Sequence, residues 1–174
     1  MPTPKLLQRC LLACILWLGC NQVWAQNEIA RERSSLKGIQ SMGFTVNIES
    51  NKSLDEQRNF DVSSLRSMGQ KLLREADIDI IADDEVQSSS DIPFLYLHIN
   101  SMDAGKGLVP FALTLYFYQP VNLVLNRNQQ TSSITWESGS VGIVSYDRMN
   151  LIPDAAKNLL QEFISDYQQI NGSS

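Results

Sequence analysis

Apolar and polar residues alternate through the middle of the chain, and apolar residues recur at helical spacing on either side of that stretch. In 36–49, Phe44, Val46 and Ile48 alternate with Thr45, Asn47 and Glu49, the period of a half-buried strand. From Asp61 the period changes. Leu65, Met68, Leu72 and Ala76 recur at three- and four-residue steps, which predicts a helix with Asp61 as its N-cap. Gly69 costs that helix up to ~1 kcal/mol relative to Ala and is expected where the helix lies close against a sheet. A short strand is expected over 78–82 and another over 92–101, in which Leu95, Leu97 and Ile99 share one face and Phe94, Tyr96, His98 and Asn100 the other. The run 108–127 continues as strand. Phe111, Leu113, Leu115 and Phe117 alternate with Ala112, Thr114, Tyr116 and Tyr118, and Val121, Leu123 and Leu125 extend the odd-numbered face. Pro120 has no N–H to give to a ladder, so a bend, bulge or edge position is expected there. After a hairpin loop at 126–130, a strand over 131–145 is expected to carry Ile134 and Trp136 on one face and Thr135 and Glu137 on the other. Residues 149–170 read as a closing helix with Pro153 in its first turn and a stripe of Ile152, Ala156, Leu159, Phe163, Tyr167 and Ile170.

The order β-α-β-β-β-β-α predicts an α+β fold: an antiparallel sheet of about five strands with two helices packed on one face, a two-layer sandwich. This single domain spans 36–171. Residues 26–35 are polar and read as a linker or a frayed helical turn. The sheet face away from the helices is then expected to carry Thr45, Asn47, Tyr96, His98, Thr114, Tyr116 and Tyr118. Tyrosine joins a broad apolar ring to a polar tip, a combination enriched at interfaces. Tyr96, His98, Tyr116 and Tyr118 are therefore the candidate binding residues, although tyrosine also suits strands for reasons of packing alone.

The first 25 residues read differently. Lys5 and Arg9 precede an apolar core, Leu11–Gly19, which Asn21 and Gln22 break. Nine apolar residues are about half of the ~20 that span a bilayer, and the charge–apolar–small order is that of an export signal peptide over 1–25. No stable membrane span is expected. The preferred cut is the Ala25–Gln26 bond. Trp17-Leu18-Gly19-Cys20 resembles the bacterial lipoprotein box, with Trp17 where that family has an aliphatic residue, so lipidation at Cys20 is the alternative. Localisation is accordingly the periplasm or extracellular space, or the outer membrane for the lipidated form. Cys10, Cys14 and Cys20 all lie in this segment. A chain starting at Gln26 has no cysteine, which excludes disulfides, thiolate nucleophiles and Cys-ligated metal.

Removing 1–25 drops Lys5 and Arg9, two of the 14 basic residues, and none of the 19 acids, so the net charge goes from -5 to -7. That balance argues against non-specific binding to nucleic acid or to anionic lipid surfaces, either of which calls for a basic patch. Candidate chemistry is sparse. His98 is the one histidine, and a general base needs an orienting acid and a pocket that the sequence does not show. Six acids fall between Glu75 and Glu85, but a calcium loop begun at Asp77 would have Ile81 and Ala82 at its fifth and sixth positions, where an oxygen ligand and a glycine are required. The acids are expected to flank a buried strand. The stretch 104–107 lacks the remaining residues of a phosphate-binding loop, and Ser138–Gly142 has the wrong frame for a nucleophile elbow. No catalytic residue, metal or cofactor is assigned.

The segments "LLREADIDII", "PFLYLHI", "ITW" and "LLQEFISDYQQIN" resemble those of small exported bacterial α+β proteins without an assigned activity. In layout the chain is similar to small periplasmic domains that serve as accessory parts of envelope assemblies. The expectation is a non-catalytic exported domain that contacts another envelope protein or a small ligand through its sheet face or edge. A hydrolase-like enzyme using acidic residues, Tyr and His98 is the alternative. Close-set acids converging on His98 in a cleft would mark the enzyme, and Tyr96, Tyr116 and Tyr118 side by side on an open face would mark the binding domain.

Overall fold

Five strands form one open sheet in the order β2-β1-β3-β4-β5: β1 (Ser41–Ser50), β2 (Asp79–Ile80), β3 (Phe94–Ser101), β4 (Leu108–Asn122) and β5 (Gln130–Ser145). The computed structural model describes residues 28–56 and 60–172. The signal peptide read over 1–25, Cys20 and the Ala25–Gln26 bond lie outside the described residues. Among these residues no helix is long and apolar enough to cross a membrane.

β3, β4 and β5 run antiparallel as a meander. β1, however, is parallel to both β2 and β3, so the sheet is mixed and the antiparallel expectation is corrected. The cause is the helices between strands. Helix α3 (Val62–Glu75) carries the chain from the end of β1 back to the end where β1 began, and α4 (Asp83–Ser88) does the same between β2 and β3. The first crossover moves outward from β1 to β2, and the second moves back past β1 to β3. A constant right-handed crossover then sends them over opposite faces. Gly69 of α3 lies against Phe44, while Val86 of α4 lies over Gly43 and Phe94, on the other face. The expectation of two helices on one face is thus corrected as well. Five α-helical segments occur among the described residues: α1 (28–35), α2 (Lys52–Asp55), α3, α4 and α5 (Leu151–Asn171), with a 3-10 turn at Tyr146–Arg148. Helices as short as α2 and α4 cannot display an apolar stripe. The acids Asp83, Asp84 and Glu85 fill the first turn of α4, where the helix dipole favours them.

The core lies between the sheet and the pair α3/α5. Phe44, Leu95, Leu97, Ile99, Leu113, Leu115 and Phe117 are buried from the sheet side, and Leu65, Leu73, Ile152, Ala156, Leu160 and Phe163 from the helices. The Phe163 ring sits 5.5 Å from Phe117 and 5.1 Å from Trp136 between ring centroids. Full burial of such a side chain contributes about 1.5–3 kcal/mol. Asp61 caps α3 as expected: its carboxylate accepts from the Ser64 N–H at 2.7 Å, and the Ser64 hydroxyl accepts from the Asp61 N–H at 3.1 Å. A Cβ at residue 69 would overlap the buried Phe44 ring, which accounts for a glycine inside a helix.

The β4–β5 register slips between Phe117 and Tyr118. Phe117 pairs with Trp136 and Tyr118 with Ile134, leaving Thr135 as the extra residue of a bulge. Trp136 is buried and Ile134 is exposed, so the expectation that they share a face is corrected. Pairing of β4 with β3 spans Phe111–Tyr118 only. Pro110 and Pro120 sit just outside that stretch, where β4 has a single neighbour and a missing N–H breaks no β3–β4 bond. Past Tyr118, β4 and β5 continue as a two-stranded arm. Leu123 and Leu125 are exposed at its end and do not extend the core face.

Residues 28–35, read as a polar linker or frayed turn, form α1 and are fastened to the domain. Arg33 Nε lies 2.7 Å from Asp166 Oδ1, and the other oxygen of Asp166 accepts from the Trp136 indole at 3.1 Å. The Ser35 hydroxyl donates to the Thr135 carbonyl, and the Gln119 amide donates to the Ser35 carbonyl and the Thr135 hydroxyl. The bulge residue is therefore the docking point of the helix.

Candidate functional site: the open face of the sheet

Strand alternation sends every second residue of β1, β3, β4 and β5 to the face opposite α3 and α5. Cross-strand register then fixes which of these side chains meet. Thr45, Tyr96, Tyr116 and Glu137 form one row across four strands, and Asn47, His98, Thr114 and Gly139 form the next. Phe94 and Tyr118 pair in the row on the other side, beside Gly43.

The aromatic side chains touch one another. Phe94 stacks on Tyr118 at 4.9 Å between centroids, and Tyr118 meets Tyr116 edge-on at 6.1 Å and Tyr96 edge-on at 6.5 Å. Tyr96 stacks on His98 at 5.9 Å. All five are half-buried: the rings cover each other's flanks and leave their outer surfaces to solvent. Burial, and then the neighbouring Tyr116 and Tyr96, raise the pKa of the Tyr118 phenol above its ordinary value. At neutral pH the Tyr118 phenol therefore stays protonated. Helix α4 bounds it at one corner, where Val86 covers Gly43 and abuts Phe94.

His98 is attended by one carboxylate. Glu49 Oε1 lies 3.4 Å from His98 Nε2, a nitrogen that is enclosed and makes no hydrogen bond. The same Glu49 oxygen accepts from the Asn47 side-chain amide at 3.4 Å. A shallow cleft lined by Asn100, Met102, Pro110, Phe111 and Ala112 adjoins the His98 row, and two larger clefts lie away from this face. One of about 520 Å³ is lined by Ala76, Asp77, Tyr167, Gln168, Asn171 and Gly172, and two of its polar side chains are engaged: the Tyr167 hydroxyl donates to the Ile39 carbonyl, and the Asn171 amide to the Leu36 carbonyl. A second is lined by Glu28, Arg31, Glu32 and Ile134–Glu137. There burial, followed by Glu137, Glu28 and Asp166, raises the pKa of Glu32. Among the described residues no group of three His, Cys, Asp or Glu is placed to hold a metal ion. Of the six acids between Glu75 and Glu85, Asp83 pairs with Arg66 at 2.8 Å and Glu75 with Lys71 at 3.9 Å.

Tyr96, His98, Tyr116 and Tyr118 thus come together on one surface. Phe94 and Glu49 complete it and were not among the sequence-derived candidates. Phe94 had a readable signal, since it alternates in phase with Tyr96; the approach of Glu49 to His98 depends on β1 lying parallel beside β3. Chemically the surface offers broad apolar rings, phenol hydroxyls, the amide of Asn47 and an imidazole beside a carboxylate. These groups lie on an open sheet surface.

No family model matches this chain, and no curated protein matches it. Among solved structures, a PelC dodecamer from Paraburkholderia phytofirmans is similar at 14% sequence identity with a TM-score of 0.40, over 76% of this chain and 90% of that one, a likeness too distant to bear on the site.

Proposed function

We infer that this protein is an exported bacterial envelope protein acting as a non-catalytic binding or assembly-accessory domain, with the open sheet face as its contact surface. The observation that carries this reading is the contiguous platform of Phe94, Tyr96, Tyr116 and Tyr118 rings on the sheet face whose Gly43 corner is covered by Val86 of α4. Amphipathic aromatic residues brought together in this way give large contact area at low entropic cost. His98 has a single exposed carboxylate beside it and sits on the same surface, which supports contact over acid–base catalysis. Export is supported by the charge–apolar–small order of residues 1–25.

A photocrosslinking residue at Tyr116, in cells exporting the full chain, is expected to yield a discrete adduct with an envelope component. The same residue at Lys71, on the exposed side of α3, is expected to yield none. Adducts from Lys71 alone, or none from Tyr116, would remove the sheet face as the contact surface.

A further inference from the structure

We propose that the tip of the β4–β5 hairpin, Leu123–Leu125, inserts into the interfacial layer of a phospholipid bilayer. This surface is separate from the aromatic face and does not depend on that face's role. Three consecutive aliphatic side chains sit at the tip: Leu123 is partly exposed, Val124 is 82% exposed and Leu125 is fully exposed. They stand at the end of the two-stranded arm, since β4 beyond Tyr118 pairs with β5 and no longer with β3. The Leu123 N–H is bonded to the Gln129 carbonyl and the Gln129 N–H to the Asn126 carbonyl, so the closing turn is the polar Asn126–Gln129 and the aliphatic residues stand beside it on the β4 side of the loop. An exposed apolar edge on a projecting loop, next to a polar turn, suits the boundary between acyl chains and headgroups.

The local charge of the arm, unlike the acidic balance of the whole chain, points to lipid as the occupant. The chain has 19 acids, yet none lies between Asp103 and Glu137. The arm carries a single charge, Arg127, two residues past the tip, amid Asn122, Asn126, Asn128 and Gln129. Carboxylates would be repelled by headgroup phosphates. A lone guanidinium can instead bind a phosphate while neighbouring amides take up the remaining polar contacts. The chain outside the described residues adds a second argument. Glu28 lines the same cleft as Ile134 and Trp136, at the root of the arm. Cys20 lies eight residues before it and so within at most about 28 Å. A chain lipidated at Cys20 and its hairpin loop can thus address the same membrane.

The test places an environment-sensitive fluorophore on Val124→Cys, and on Lys71→Cys as a control, in the protein recovered from its bacterial host. Vesicles of phosphatidylethanolamine and phosphatidylglycerol are then added. The Val124 probe is expected to shift to the blue and brighten, with the Lys71 probe unchanged. The combined Leu123→Ser, Val124→Ser and Leu125→Ser variant is expected to lose most of the vesicle-bound fraction. An intact mass for each preparation records whether the chain starts at Cys20 or Gln26. A blue shift in either form supports insertion. A silent Val124 probe overturns it, including when the protein floats with the vesicles, because flotation without a signal at the tip assigns binding to the Cys20 lipid alone. A Val124 crosslinker that captures protein but no lipid in cells overturns it too.

Discussion

Gly69 shows how one residue can be governed by two opposed effects. Helix propensity alone favours Gly69→Ala by ~1 kcal/mol. The new Cβ would overlap Phe44, a ring held between sheet and helix with no exposed surface, and overpacking of that kind costs about 1–3 kcal/mol. The variant is expected to be less stable in urea unfolding; a gain would mean that Phe44 can yield. Asp61 is the second case. The Ser64 backbone N–H, followed by the Ser63 and Ser64 hydroxyls, holds its carboxyl below the ordinary aspartate value. Its folded pKa is depressed, so its contribution is present above the unfolded pKa and is lost as pH falls through the folded one. Asp61→Asn retains an acceptor for the Ser64 N–H but does not titrate. Its urea midpoint is expected to fall less steeply than that of the parent between about pH 5 and pH 2, and equal slopes would exclude Asp61 as a source of acid sensitivity.

Elements in this molecule are held as much by their ends as by their faces. Helix α1 is fastened at its last turn by Gln119, which bonds both Ser35 and the bulge residue Thr135. Gln119→Ala removes both bonds, each worth about 1 kcal/mol net. Hydrogen exchange over 28–35 is expected to accelerate while the β3 and β4 amides stay as they were. Unchanged exchange would mean that the Arg33–Asp166 pair and the Ser35–Thr135 bond suffice. The same bulge has a second consequence: it turns Trp136 into the core and Ile134 out of it. No residue near Thr135 announces this, because a one-residue slip is decided by what faces the strand, here Phe117 and Phe163.

Across the whole molecule, two crossovers on opposite faces set the boundaries of the aromatic surface. The first places α3 on the core side, and the second carries α4 over the Gly43 corner of the other side. With β1 parallel to β3, Asn47 comes opposite His98, and Glu49 reaches the imidazole. An antiparallel β1 would have surrounded the histidine with other neighbours. β3 is paired along its length on both sides, whereas the arm beyond Tyr118 has no strand neighbour but its own two strands and is met only at its root by α1. The rigid platform and the projecting tip are two consequences of unequal strand lengths in one sheet.

Alternation and helical spacing, both local properties, were enough to place α3, α5 and the strands β1, β3 and β4, to identify the Asp61 cap, and to put Tyr96, His98, Tyr116 and Tyr118 on a common face. They follow from side-chain direction along a strand or helix, which needs no knowledge of the partner. The parallel course of β1, the small helices α2 and α4, the bulge at Thr135 and the docking of α1 were decided by the tertiary structure. Each depends on which distant segment lies alongside: a crossover must return to a free edge, a four- or six-residue helix is too short to show an apolar stripe and is held by the segment it packs against, and a bulge resolves a conflict between two strands that only their pairing creates.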